Sequence, residues 1–210
     1  MNNIIYYTNF IQRKNIQGGG DMCTILEKIR NKTPIELLNE YHIPLEPPID
    51  ISRLLEKIGI STIAEDFSEI EDIQAIETGS ILGAAFSNNN DLAIFYKQSD
   101  SLHRKKFTIA HELAHCCLDC PTNETSHIEY RLEIYDNLSK EDIEKEKRAN
   151  IFAGELLIPE DILMKYYKKL LIPSLVSLAK VFDISTSVMA ARLDYLHLAY
   201  YKDSVTEIIL

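Results

Sequence analysis

Two histidines four positions apart, with a glutamate directly after the first, occur in the run Phe107-Thr-Ile-Ala-His111-Glu112-Leu-Ala-His115. On a helix, positions i and i+4 share a face, so both imidazoles can reach one metal ion while Glu112 lies beside the open coordination position. The chemistry that this arrangement serves is metal-assisted hydrolysis, with Glu112 as acid and base. The pattern fixes only three residues, and an amphipathic helix with solvated His and Glu would carry it too. Its surroundings argue for a site. Phe107, Ile109, Ala110, Leu113, Ala114, Cys116, Cys117 and Leu118 go almost all round the helix, which is therefore expected to be buried. Two histidines and a glutamate on a buried helix need compensation.

A second helix, expected over residues 141–157 with Ser139 as its cap, supplies a third candidate ligand. A helical wheel places Glu146 amid Ala149, Phe152, Ala153, Leu156 and Leu157, with Asn150 alongside, while Lys147, Arg148 and Glu155 point away. A carboxylate at the centre of a packed face is costly unless a cation compensates it. Its facing direction favours Glu146 over Glu141 and Glu144. His111, His115 and Glu146 with one open position make a catalytic set for a single Zn²⁺ per chain, with Mn²⁺ as the alternative. Asn150, one turn further on, could accept a hydrogen bond from a ligand imidazole and fix its tautomer, or could serve simply in helix packing.

These two helices need elements to hold them. A helix from Asp50 to Gly59, a strand over 60–64 and a hairpin of 81–86 with 92–96 are expected to precede the active helix. The second hairpin strand leads towards that helix and could pair with an extended substrate through its main chain. Ser99 or Ser101 can cap the helix, and Arg104, Lys105 and Lys106 in its opening turns read as a solvated face. Between 67 and 80 the chain reads as short apolar runs broken by turn residues. The alternation around Ile128, Tyr130, Leu132 and Ile134 predicts an edge strand over the site. An oxyanion donor is expected from this region, with Tyr130, Tyr135 and His127 as candidates by position.

With 210 residues, 46% of them hydrophobic and 26% charged, the chain can bury one sizeable core. There is no apolar run long enough for a membrane span and no convincing signal peptide, so a cytoplasmic location is expected. The formal charge of −10 argues against nucleic-acid binding, which draws its affinity from Lys and Arg on phosphates. Cys117 and Cys120 have the spacing of a metal or redox pair but no second pair to complete a four-thiolate site. Together with Cys116 they read as small buried apolar residues.

The Arg104 to His115 run, followed by Glu146-Lys-Arg-Ala-Asn-Ile-Phe-Ala-Gly-Glu-Leu-Leu-Ile-Pro159, resembles the ImmA/IrrE family of metallo-endopeptidases. Ile49-Asp50-Ile51 and the stretch Leu178-Ala179 to Ile184-Ser185 also fit. The resemblance implies an α+β fold with a zincin-like core, in which the active helix and the Glu-bearing helix pack on a small sheet. It implies cleavage of a helix-turn-helix repressor of a mobile element or stress regulon, with His111, His115 and Glu146 as metal ligands and Glu112 as the acid/base. Ala114 stands where the family commonly has Gly, and both are small. The alternative is a non-catalytic regulator or protein-binding module on the same scaffold.

The expected organisation has four parts. Residues 1–21 are an extension that either precedes a true start at Met22 or frays. Residues 22–48 hold a short helical segment, broken at Pro34, and a Pro-rich linker. Residues 49–158 form the zincin-like peptidase domain, and 159–210 a C-terminal helical lobe with a helix-turn-helix cadence. Few basic residues lie on the would-be recognition helix, Arg192 alone against the acidic Asp194, so packing or repressor docking is expected there rather than direct DNA binding.

Overall fold

A computed structural model describes residues 25–74, 79–88, 91–120, 126–132, 139–170 and 173–202. The expected extension over 1–21 and the start at Met22 lie outside these residues. The chain opens with α1 (Ile25–Ile29) and α2 (Pro34–Glu40), divided at the proline as expected. Thr33 caps α2 through a capping box with Glu36, and Pro34 sits in the first turn, where its missing N–H has no helical partner to lose. The Pro-rich stretch that follows is anchored at both ends, because Ile43 and Ile49 are each 4% exposed. Helix α3 (Ile51–Ile58) runs from its Asp50 cap to Gly59, whose φ of 93° lies in the left-handed region that favours glycine.

A small sheet follows, made of β1 (Ser61–Glu65), β2 (Ile81–Asn88), β3 (Leu92–Lys97) and β4 (Ser126–Leu132). Its order is β1-β3-β2-β4, with β1 parallel to β3 and the other pairs antiparallel. The hairpin and the edge strand β4 are as expected; Ile134 lies outside the described residues. One expectation is corrected. Strand β3 cannot offer its main chain to a substrate, because β1 and β2 flank it on both sides and take its N–H and C=O groups.

Strand β3 is buried on both faces, and its side chains divide with the period of two that a strand imposes. Leu92 and Ile94 join the main core, whereas Ala93 and Phe95 join a second cluster with Phe67, Ile70, Ile81 and Phe86. Helix α5 (Leu102–Leu118) packs on β2 and β3 over the first face. Helix α4 (Ser68–Gln74), which the sequence had suggested only as turns, contributes Ile70 to the cluster on the other face. Helix α6 (Lys140–Leu157) packs on α5, with Ser139 as its cap.

The remaining helices, α7 (Glu160–Tyr167), α8 (Leu175–Phe182) and α9 (Thr186–Tyr195), complete the chain, with α9 against both α8 and α6. Lys106, expected on a solvated face, instead reaches Asp183 in the turn between α8 and α9. His103 meets the same carboxylate at 3.1 Å, so the first turns of α5 are tied to that turn. No helix among the described residues is long and apolar enough to cross a membrane.

Helix α4 also carries a buried carboxylate that fixes the start of β2. Glu71, 2% exposed, accepts the Gly79 N–H at 2.7 Å and the Ile81 N–H at 2.8 Å. Truncation would leave two buried donors unpaired. Glu71→Ala is therefore expected to lower the unfolding free energy by about 2–4 kcal/mol in urea denaturation, and a loss below about 0.5 kcal/mol would show that the carboxylate holds nothing.

Candidate functional site

Helix α5 builds the site because its sequence can cap, bury and end it at the right places. Ser101 rather than Ser99 is the cap, accepting the Arg104 N–H at 3.3 Å. The helix is then buried almost all round, as expected, with Ala114 fully enclosed in the core. His111 and Glu112 are 0% exposed and His115 2%. Helix α6 lies across it and turns Ala149, Phe152, Ala153, Leu156 and Leu157 inward while Lys147 and Arg148 stay exposed.

That packing brings the three expected ligands together. The two Nε2 atoms of His111 and His115 lie 3.0 Å apart. Each is 3.2 Å from an oxygen of Glu146, His111 from Oε2 and His115 from Oε1. One ligand atom from each residue falls within 4.8 Å of the others, and this is the candidate metal-holding group found among the described residues.

The far side of each ring fixes what the near side can be. His111 Nδ1 lies 3.0 Å from Asn150 Oδ1, and His115 Nδ1 lies 3.3 Å from Asp119 Oδ2. Amide and carboxylate oxygens accept, so each Nδ1 carries the proton and donates it. In the neutral imidazoles both Nε2 atoms are then bare lone pairs, directed at one another and at a carboxylate. Three electron-rich groups in a largely buried space repel unless positive charge, a ring proton or a metal ion, lies among them. Two imidazole nitrogens and one carboxylate oxygen are a donor set that suits a divalent transition ion with an open position. The residues present therefore fit such an ion.

The ionisation of the acidic groups agrees with this. Burial pushes the Glu146 carboxyl up, but without an ion the hydrogen bonds and charge of His111 and His115 in their protonated form outweigh it and hold the group well below the usual carboxylate range, a place that a bound cation would take when both rings are neutral. Burial also raises Asp119, and His115 and Arg148 together more than reverse it. Arg148 Nη2 donates to Asp119 Oδ1 at 2.7 Å, so this exposed side chain reaches round to steady the carboxylate behind His115.

Asp119 and Arg148 were not anticipated from sequence. Asp119 could have been, since it stands four residues after His115 and so one turn below it. Arg148 could not, because its wheel position faces away from Glu146. Asn150 bonds His111, yet it is exposed and not packed within the core. Tyr130 and His127 lie on edge strand β4, in register with Ala84 and Ser87 of β2, and Tyr135 lies outside the described residues. Cys116, Cys117 and Cys120 are buried free thiols, and burial pushes Cys117 far above its ordinary value. Cys120 Sγ is 3.4 Å from Ser87 Oγ.

Gly83 of β2 faces the centre of α5. A Cβ there would meet Thr108 Cγ2 at 2.5 Å, Glu112 Oε1 at 3.1 Å and the Phe95 carbonyl oxygen at 3.2 Å. The strand can lie this close to Glu112 only because the side chain is missing. Gly83→Ala is expected to cost about 1–3 kcal/mol in urea denaturation, because strand and helix must part. An unchanged midpoint would mean that the contact has slack.

One family matches the chain over residues 55–194, more than half of its length: Peptidase_M78, described as the IrrE N-terminal-like domain. A search of curated proteins found no match.

Proposed function

The chain belongs to the IrrE N-terminal-like family of peptidases, Peptidase_M78, and from that premise we propose that it is a zinc-dependent endopeptidase acting on a specific regulatory protein. The observation that carries the reading is the convergence of His111 Nε2, His115 Nε2 and a Glu146 carboxylate oxygen with both Nδ1 protons turned outward. A divalent ion held there supplies Lewis acidity, acidifying water and polarising a carbonyl.

This chain's own residues do the rest. Asn150 and Asp119 keep the imidazoles in the one tautomer and orientation that directs their lone pairs inward, and Arg148 keeps Asp119 ionised. Glu112, adjacent to His111 and pressed against β2 at Gly83, takes the proton of the attacking water and returns it to the leaving amine. The oxyanion donor is assigned to the β4 region, with Tyr130, Tyr135 and His127 as the groups to test. β4 is an edge strand bonded to β2, so it is the strand near the site that could pair with an extended substrate.

The substrate we infer is a helix-turn-helix repressor of a mobile element or stress regulon, a reading that rests on the resemblance of the two motif stretches. The burial of Arg192 supports packing over DNA reading for the C-terminal helices, since a guanidinium 5% exposed cannot neutralise a phosphate backbone.

Elemental analysis of the purified chain is expected to find about one zinc per wild-type protein and little in Glu146→Ala. Glu112→Gln should keep the metal and lose cleavage of the repressor. A wild type that holds no metal after zinc is supplied would overturn the reading and leave a binding module on a peptidase scaffold. Asp119→Ala should retain the ligands yet weaken metal affinity by about 10–100-fold in a chelator competition. Unchanged affinity would show that His115 needs no support.

A further inference from the structure

Helices α5, α6 and α9 line an open pocket of about 360 Å³ whose wall includes Phe107, Ile151, Gly154, Val188, Tyr195 and Arg192, with Ile151 and Tyr195 exposed at its rim. Its size and mainly apolar wall with a few polar groups are those of a small-molecule site. The arginine is the unusual member. Arg192 is 5% exposed, its Nε donates to the Ile158 carbonyl at 3.2 Å, and its guanidinium lies 5.6 Å from the centre of the Tyr195 ring. Among the described residues no carboxylate pairs with it, and its terminal nitrogens have no acceptor. Glu155 and Glu160 act on it only through space, while burial works against its charge.

A guanidinium has five N–H donors, and this one spends a single donor on the protein and leaves the others to the solvent of the pocket, where an acceptor from an occupant could take them. A Cβ at Gly154 would make ordinary contact with Arg192 Cδ at 3.8 Å, so the arginine side chain lies over α6 at this point. Among the described residues no lysine or second arginine lines the pocket, so they offer an occupant one positive charge.

We propose that this cavity binds a small carboxylic acid with a compact apolar body. The carboxylate pairs with the planar fork of Arg192, and the body rests on Phe107, Ile151 and Val188. A monoanion matches the single guanidinium, whereas the second charge of a phosphate ester would find no cation on a mainly apolar wall. The site also touches the metal centre. Asn150 forms part of the same wall and bonds His111, so an occupant lies against a residue that orients a candidate ligand.

The test uses the full chain and needs no peptidase activity. Octanoate is titrated against the protein by calorimetry, with octanamide as the uncharged ligand of the same shape. Wild type is expected to bind octanoate saturably and octanamide at least about tenfold more weakly. Arg192→Met should remove that preference, since replacing a lone buried charge by an apolar chain of similar length leaves the packing in place. Ala191→Trp, at an exposed position on the rim, should weaken both ligands by filling the space, and it carries the test if Arg192→Met does not fold. Equal affinity of wild type for the two ligands, absence of saturable octanoate binding, or undiminished octanoate binding by Ala191→Trp or a folded Arg192→Met would overturn the proposal.

Discussion

Three groups with lone pairs, two imidazoles and one carboxylate, are held within hydrogen-bonding distance of one another in a largely buried space. That mutual repulsion is the constraint on which the rest of the architecture depends. Without a cation the arrangement would relax, by a rotamer change or a proton moving inward, so the surroundings must oppose such relaxation. Asn150 and Asp119 do this from behind the rings, one supplied by each of two different segments. Arg148 adds a third tie, from α6 back to the end of α5. The electrostatic conflict and the packing of two helices are therefore one problem with one solution.

The sheet serves the same end at a different scale. Because β3 is buried on both faces, it acts as a rigid floor, with α5 on one side and the Phe67 to Phe95 cluster on the other. Gly83 then sets the approach of β2 to α5 at Glu112. A carboxylate of that kind, fully enclosed and touching a strand, has little freedom to wander from where a proton transfer would need it. Preorganisation here costs side-chain freedom at positions far from solvent, where the core already restricts it.

Much of this was legible in the sequence, for reasons that can be named. His111, Glu112 and His115 are read from i, i+4 spacing, and Glu146 from a charged residue standing on an apolar face, both local helical properties. The caps at Ser139 and Asp50 follow from side-chain chemistry at helix starts. What escaped was whatever depended on how elements meet. Helix α4 has too few apolar residues to show a period, and its buried Glu71 is explained only by the backbone of β2. The place of β3 inside the sheet depends on a parallel partner from earlier in the chain, which no hairpin pattern can reveal. Arg148 and Lys106 looked like solvated charges, and their partners Asp119 and Asp183 lie 29 and 77 residues away.

Of the three candidate ligands, two are sealed and Glu146 alone keeps solvent contact, with 18% of its side chain exposed. An ion bound by the three groups would then meet the carboxylate first on its way in from solvent and leave past it. Such a gate separates occupancy from exchange, because a small movement of α6 at Glu146 can change how fast an ion is loaded or stripped while the affinity of the completed site stays the same. Whether the protein is active would then depend on its history of exposure to metal as well as on the concentration around it.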